Sequence, residues 1–216
     1  IEVHGPTAPA ALSTALGGPV ALADLASWAQ CRNARVSLGE APVVVTRIDR
    51  LGVPGFVLYV GVADEAAVTS ALLAAGVRRV EAAAVEAARV EAGWPIYSVD
   101  MDDTIIPLEA GIESRAISMT KGCYVGQEII VRVLHRGHGR VAKRLVGLRV
   151  EGAEPVPHGE RLTAAGVDVG WVTSSAVSPG RGVVALGYVA REKALDTVEL
   201  ATASGRKAVV SALPLR

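Results

Sequence analysis

The segment TKGCYVGQE, residues 120–128, places a thiol between a lysine and two glycines. A cysteine reacts or binds metal as its thiolate, and nearby positive charge favours that form. Lys121 supplies such a charge, while Gly122 and Gly126 allow backbone amides to approach the sulfur closely. A helix beginning near Gly126 would also direct its positive end towards the sulfur. We therefore predict that Cys123 is a functional thiol and that Lys121 activates it.

Burial in a core is the alternative for this thiol, because free cysteine is among the most buried residue types. The flanking lysine and glycines are features that a packed cysteine does not need, so they favour the functional interpretation. The second cysteine, Cys31 in WAQCRNA, has no such neighbours. We expect Cys31 to be a packing residue.

Positive charge is concentrated directly after this motif, in EIIVRVLHRGHGRVAKR. The cationic residues are Arg132, Arg136, Arg140, Lys143 and Arg144. They suit phosphate or carboxylate groups, including an RNA backbone or the glutamate tail of a small molecule. No aromatic residue follows Tyr124 in this stretch, so stacking platforms for single-stranded RNA are missing. A solvated basic edge is the alternative. His135 and His138 match no strong zinc spacing with Cys123.

Carboxylates are clustered upstream, at Asp100, Asp102 and Asp103 in SVDMDD and at Glu109 in PLEAG. Such a cluster could bind a divalent ion or transfer protons, and a loop with caps and turns is the more ordinary interpretation. The sequence contains no glycine-rich dinucleotide motif, no Walker motif and no G-x-S-x-G motif. Dinucleotide, nucleoside triphosphate and serine-hydrolase chemistries are therefore unsupported.

Composition limits the remaining possibilities. The 216 residues are 50% hydrophobic and carry 22 basic and 22 acidic side chains, which predicts a soluble globular protein without a global field for nucleic acid or membrane. The longest uncharged run, residues 5–23, is interrupted by prolines and glycines, so we expect no membrane span. Two cysteines and no export signal favour the cytoplasm. Because strand-like sequence begins at Ile1, we expect the natural protein to continue upstream.

The elements that must position these residues form three predicted parts. Residues 1–84 contain a strand (IEVHG), helical runs at 9–16 and around 22–30, a hairpin (APVVVTRI and FVLYVGV), a helix at 64–76 and a strand (VRRVEAA). This order predicts a ferredoxin-like α+β domain. Residues 85–143 mix short helices with turns. Residues 144–216 contain short β-branched strands separated by turn residues, which predicts an antiparallel barrel or sandwich.

The octapeptide KGCYVGQE resembles the signature of the YgfZ family, folate-binding proteins related to the aminomethyltransferase of the glycine cleavage system. Further similar segments are GPTAPAAL, RIDRLGVPGF, RVEAGWPIYSVDMDDTIIPLEAG and GWVTSSAVSPGRGVVALGYV. The resemblance implies three domains around a folate-sized central hole: a ferredoxin-like domain at 1–84, the second half of a split folate-binding domain at 85–143, and a β-barrel at 144–216.

The resemblance also implies site residues. The arginine of an R-x-E-A-G segment contacts folate in the related transferases, and Arg89 stands at that position. The other folate-binding residues predicted on this basis are Tyr97, Glu109, Tyr124 and Gln127. The implied cofactor is tetrahydrofolate or another folate. No metal ligand is predicted.

One difference from the aminomethyltransferases makes the sequence more similar to the YgfZ family. Their hairpin loop carries carboxylates that hold the pterin, whereas the run from Gly52 to Val57 has none. The resemblance thus favours an accessory role in the assembly or repair of iron–sulfur clusters, with partners such as radical enzymes that modify tRNA, and without direct nucleic-acid or membrane binding. A folate-dependent aminomethyltransferase and an RNA- or protein-binding adaptor are the alternatives.

Overall fold

The computed structural model describes residues 1–17, 24–137 and 139–215. The chain separates into two compact units, Ile1–Ala82 and Ala83–Arg216. Within the described ranges, no helix has both the length and the apolar character needed to cross a bilayer.

The first unit is a four-stranded antiparallel sheet with two helices on one face. Its sheet order is β1-β4-β3-β2. The strands are β1 (Glu2–His4), β2 (Asn33–Leu38), β3 (Ala41–Arg47) and β4 (Gly55–Val60), and the helices are α1 (Ala8–Ala15) and α2 (Glu65–Ala74). Alternate residues of β3 and β4 face inward and meet the apolar sides of both helices. The central buried side chains are Leu12, Val43, Val45, Phe56, Leu58 and Val68.

Three predictions for this unit are confirmed: the helices at 9–16 and 64–76, and the β3–β4 hairpin. Two are wrong. The sequence VRRVEAA forms no strand; residues 77–81 are irregular, and Val80 is 70% exposed because it has no sheet neighbour to pack against. The helix expected around 22–30 is only a 3-10 turn at Leu25–Ser27, with residues 18–23 outside the described part.

An unexpected edge strand, β2, pairs with β3 over six residues. Its sequence NARVSL alternates polar and apolar residues, and Ala34, Val36 and Leu38 pack against the core. The three strands β1, β4 and β3 keep the ferredoxin-like neighbours, and β2 extends the sheet at the edge beside β3.

The second unit contains the predicted barrel, which is closed and antiparallel in the order β10-β5-β8-β7-β6-β9. Its strands are β5 (Lys143–Val150), β6 (Arg161–Ala164), β7 (Val167–Ser178), β8 (Gly182–Ala190), β9 (Glu199–Thr202) and β10 (Lys207–Ser211). Alternate residues point inward and fill the interior with aliphatic side chains, among them Leu148, Leu162, Val172 and Val189. The four-residue strand β6 was not predicted.

Helix α3 (Ala82–Ala92) packs on the outside of this barrel. Ala87 and Val90 contact a cluster that includes Val184, Leu186 and Leu215. The backbone amide of Leu215 donates to the carbonyl of Glu91 at 2.7 Å. The outer faces of β7 and β8 are thus covered, and the polar groups there are removed from water.

The segment between α3 and the barrel has short helices, as predicted. These are α4 (Glu113–Ala116) and α5 (Gln127–Val131), which continues into a π-helical turn at Arg132–Arg136. A small apolar cluster of Leu108, Ile130 and Val141, with partly buried Tyr124 among its neighbours, holds this segment together. It also links the chain near Glu109 to the chain around the cysteine motif.

Candidate functional site

A buried ion pair lies on the outer face of the barrel. Arg89, on α3, is 3% exposed, and Asp100 is 2% exposed. The Nη1 of Arg89 donates to Asp100 Oδ2 at 2.8 Å and to the carbonyl of Trp94 at 2.6 Å. Nη2 donates to Glu86 at 2.5 Å and to Ser174 Oγ at 2.7 Å, and Nε donates to Glu86 at 2.8 Å. All five N–H donors of the guanidinium therefore have an acceptor.

The surroundings of Arg89 favour its charged form. Burial acts to lower the pKa of the guanidinium, but the hydrogen bonds and negative charges of Glu86 and Asp100 outweigh it, so the pKa lies above the ordinary arginine value. A folate group could bind this guanidinium only by displacing one of its present acceptors. The geometry indicates that Arg89 organises its neighbourhood rather than pointing to solvent.

Asp100 is the centre of this polar cluster, because its carboxylate accepts four hydrogen bonds. Two come from Arg89 and from the backbone amide of Ile96, at 2.8 and 3.0 Å. The other two come from Thr173 Oγ1 and Ser174 Oγ, at 2.6 and 2.7 Å. Hydrogen bonds to a charged acceptor are about twice as strong as neutral ones, so this carboxylate is firmly held.

A β-bulge in β7 brings the two hydroxyls together. Consecutive residues of a regular strand point to opposite faces of the sheet. In β7 the register shifts between Val172 and Ser174: Val172 pairs with Gly187 of β8, and Ser174 pairs with the preceding residue Leu186. Thr173 is the extra residue, and its side chain joins that of Ser174 on the outer face.

Asp100 also fixes the turn that presents Tyr97. The amide of Asp100 donates to the carbonyl of Ile96 at 2.8 Å, and the amide of Ser98 donates to the carbonyl of Met101 at 2.7 Å. Ser98 has φ of 69°, an uncommon backbone conformation for a residue with a side chain. At the apex of this turn, Tyr97 is 62% exposed. The exposed Tyr97 ring thus lies on a turn that the buried carboxylate of Asp100 anchors.

Tyr188 contributes a buried hydroxyl beside these groups. The residue is 1% exposed, and its Oη has no hydrogen-bond partner among the described residues. Burial, followed by the negative charges of Asp100 and Glu109, raises the pKa of this phenol above its ordinary value. Its ring centroid lies 5.3 Å from that of Trp171 on the neighbouring strand.

Glu109 lies at the edge of the same region and is largely buried. Its Oε2 is 3.8 Å from Lys143 Nζ and accepts a long hydrogen bond of 3.4 Å from the amide of Ile106. Its backbone carbonyl accepts from the amide of Leu145 at 2.8 Å. The carboxylate thus faces a lysine at the start of β5, which is itself 28% exposed at its side chain.

The cysteine motif is on the surface. Cys123 is a free, exposed thiol in the irregular segment before α5. The ammonium of Lys121 lies 4.8 Å from the ring centroid of Tyr124, a cation–π contact one residue from the thiol. Gln127, half-buried, is the first residue of α5, and Gly126 precedes it with φ of 85°. The motif therefore presents an accessible thiol at the residue before Tyr124, whose ring contacts Lys121.

The remaining predictions concern Cys31, the basic residues after the motif and possible metal ligands. Cys31 is exposed, so the expectation that it packs in a core is wrong; it lies in a turn with φ of 66°, where its amide donates to the carbonyl of Arg47. Of the basic residues after the motif, Arg132 and Arg136 lie in the π-helical turn, Lys143 and Arg144 lie in β5, and Arg140 lies between the two elements. Arg132 pairs with Glu128 at 2.9 Å. Among residues 1–17, 24–137 and 139–215, no three His, Cys, Asp or Glu side chains are grouped as metal ligands; His138 lies outside these ranges.

The hairpin loop of the first unit contains one carboxylate, and it is already engaged. Asp49 accepts from Arg47 through both oxygens, at 2.5 and 2.8 Å, and from the amide of Gly55 at 2.9 Å. The pKa of Asp49 lies below its ordinary value, because these hydrogen bonds outweigh the opposing effect of burial. Asp49 therefore shapes the loop through these bonds, although its side chain remains 38% exposed.

The sequence identified Asp100 only as one of a group of acids, and it did not identify Thr173 or Ser174. Asp102, in the same group, is an exposed cap whose Oδ1 accepts from the amide and hydroxyl of Thr104, as the turn interpretation predicted. The one available signal for the hydroxyls was TSS within an otherwise aliphatic strand. Buried hydroxyls in such a strand require partners, which the sequence does not name.

The structure superposes on the crystal structure of glycine cleavage system aminomethyltransferase T from Bartonella henselae with a TM-score of 0.83 at 24% identity, covering 100% of this chain and 58% of that chain. The model of the GCVT N-terminal domain matches residues 1–121, and that of the glycine cleavage T-protein C-terminal barrel domain matches residues 143–215. The chain belongs to this GCVT family.

Curated relatives agree with this assignment. An aminomethyltransferase of Thermosynechococcus vestitus is 34% identical over 93% of this chain and 53% of its own length. An aminomethyltransferase of Saccharopolyspora erythraea is 31% identical over 90% of this chain and 52% of its own length. The chain thus spans about half the length of the curated relatives it matches.

Proposed function

We propose that this chain is part of a folate-binding GCVT-family protein of the YgfZ type. In this role it supports the assembly or repair of iron–sulfur clusters in partner enzymes, including those that modify tRNA, through Cys123. The observation that carries the proposal is the free, exposed thiol within KGCYVGQE. A soft thiolate can bind iron, a cluster or a persulfide, and the proposal covers all three as cargo.

Tetrahydrofolate is the proposed ligand, with contacts from Tyr97, Glu109, Tyr124 and Gln127. The residues fit such a molecule: Tyr97 offers an exposed face to a planar ring, and Lys121 offers a cation to a carboxylate tail. Arg89 supports the site indirectly, because it holds Asp100 and thereby the turn at residues 96–101. Bound tetrahydrofolate would supply a carrier for one-carbon units. The residues of this chain bind and orient it and leave the thiol accessible.

The hairpin loop supports the accessory role over transfer chemistry. Its one carboxylate, Asp49, is occupied by Arg47 and Gly55, and positions 53 and 57 are valines. A pterin held there would lack an acidic partner from this loop. Aminomethyl transfer is the second candidate, favoured by the similarity to curated aminomethyltransferases. Transfer of an aminomethyl group to tetrahydrofolate by the full-length protein would decide for it.

The two exposed cysteines provide a matched test of the thiol. In cells that depend on the protein, Cys123→Ala should abolish support of an iron–sulfur tRNA-modifying enzyme, while Cys31→Ala should retain it, since only the first lies in the motif. Both variants should fold like the parent chain, because each side chain is exposed. Full support by Cys123→Ala would refute a role for this thiol.

The activating role of Lys121 is tested separately. In Lys121→Ala the alkylation of Cys123 at neutral pH should slow, while alkylation of Cys31 in the same molecule serves as an internal reference. Lys121→Arg keeps the positive charge and should alkylate at nearly the parent rate. Equal rates in all three proteins would remove Lys121 from the mechanism.

A further inference from the structure

We infer that Thr173 and Ser174 are positioning residues for the folate site, acting through Asp100. This inference rests on the proposed function and assigns the two hydroxyls a role in it. Neither residue reaches the surface: both are buried on the outer face of the barrel, at 4% and 6% exposure. Their effect on a ligand must therefore pass through the groups that they hold.

The hydroxyls have a geometry that a regular strand could not provide. Thr173 is the extra residue of the bulge, so two consecutive side chains share one face of β7. Both donate to the same oxygen, Oδ1 of Asp100, at 2.6 and 2.7 Å. Each hydroxyl has one hydrogen to donate, and Ser174 Oγ also accepts from Arg89. Both hydrogen bonds of the Ser174 hydroxyl therefore lie within this cluster.

Asp100 transmits this anchoring to the turn at 96–101. While Oδ1 is held by the barrel, Oδ2 accepts from the amide of Ile96, the residue immediately before Tyr97. The conformation of Ser98, with φ of 69°, is uncommon and has to be maintained by the surrounding structure. The barrel thus sets the position of the exposed Tyr97 ring through a chain of two hydrogen bonds.

Arg89 connects the same cluster to the end of α3. Its guanidinium bridges Asp100, Ser174 and the carbonyl of Trp94, so both ends of residues 94–100 are tied to one buried point. This arrangement gives a consistent role to the arginine of the R-x-E-A-G segment in this chain. The arginine and the two hydroxyls form one support beneath the proposed ring-binding turn.

The test replaces Thr173 with two residues of different chemistry. Thr173→Val keeps the shape and removes the hydrogen bond, whereas Thr173→Ser keeps the hydrogen bond. Thr202→Val is the matched control, because Thr202 is equally buried in the same barrel and bonds Ser204 and Arg206 instead. Tetrahydrofolate binding is measured by calorimetry on the full-length protein, and hydrogen exchange is measured at the amides of Ile96 and Asp100.

We expect Thr173→Val to weaken tetrahydrofolate binding about tenfold or more, the ratio that corresponds to one lost charge-assisted hydrogen bond. It should also speed exchange at both amides, while Thr173→Ser and Thr202→Val resemble the parent protein. Ser174→Ala should show the same pattern if Thr173→Val folds poorly. Parent-like affinity in Thr173→Val and Ser174→Ala, or an equal loss in Thr202→Val, overturns the inference alone. No binding by the parent protein overturns the proposed function as well.

Discussion

Replacing Asp100 by asparagine should destabilise the second unit strongly. An amide has one acceptor oxygen and one donor NH2 in place of two acceptor oxygens. At the Oδ2 position the NH2 would face the N–H groups of Arg89 and Ile96, so it must take the Oδ1 position. There it meets two hydroxyls, of which Ser174 already accepts from Arg89. The substitution therefore leaves the guanidinium without its buried counter-charge and at least one hydroxyl without its acceptor.

The magnitude follows from these losses. Removing one partner of a buried ion pair costs about 3–5 kcal/mol. Glu86 remains bonded to Arg89 through both of its oxygens and retains part of that energy. We expect the free energy of unfolding to fall by about 3 kcal/mol, which corresponds to a decrease of roughly 10 °C in Tm for a unit of this size.

The assay is denaturant unfolding of Asp100→Asn beside Asp168→Asn. Asp168 also bonds an arginine, Arg161, but both side chains are about half exposed, so its replacement should change the midpoint little. The tryptophans Trp94 and Trp171 both lie in the second unit and report its unfolding by fluorescence. A loss of unfolding free energy below about 1 kcal/mol for Asp100→Asn would show that Glu86 and Trp94 suffice to hold Arg89, and it would refute the role of Asp100 as the required counter-charge.

Two further predictions concern packing and pH. A Cβ at Gly170 would lie 2.0 Å from the carbonyl oxygen of Tyr188, so Gly170→Ala should lower the free energy of unfolding in urea by about 1–3 kcal/mol. Gly180→Ala is the control and should be nearly neutral, because a Cβ there has no neighbour within 4 Å. Equal effects of the two substitutions would contradict the close approach at Gly170. The pKa of Asp49 is lowered below its ordinary value of 3.8 in the folded protein, so its contribution to stability is complete above that value and is lost as the pH falls through the folded pKa. Asp49→Asn should therefore be less stable than the parent at pH 6, and the difference should shrink as the pH falls through the folded pKa of Asp49. A difference independent of pH would contradict the carboxylate's role.

Periodicity and turn residues were sufficient for some of the regular elements but not for all of them. Alternation in APVVVTRI and the apolar run GVVALGYVA predicted strands that the structure contains, because the first strand buries one face and the second buries both. VRRVEAA had strand-like composition and failed, since a strand needs a neighbour and local sequence does not provide one. NARVSL, the sequence of β2, has the alternating pattern of a strand and was not predicted as one.

The candidate site was less accessible to sequence reasoning. The cysteine motif could be found because its signals are local: a lysine, a thiol and glycines within six residues. The Asp100 cluster joins residues 85 positions apart in the chain, as in the bond between Arg89 and Ser174. It depends on a one-residue bulge, which no composition or periodicity predicts. The resemblance singled out Arg89, but the five acceptor atoms around its guanidinium became evident only in three dimensions.

The bulge in β7 has a consequence for how this barrel can vary. Deleting one residue between Val172 and Ser174 would restore regular pairing with β8 and give a more uniform barrel. The same deletion would remove Thr173 and with it one of the two hydroxyls that donate to Asp100. A chain selected only for thermal stability could therefore lose the bulge, whereas a chain that must hold the Tyr97 turn in place has to keep it.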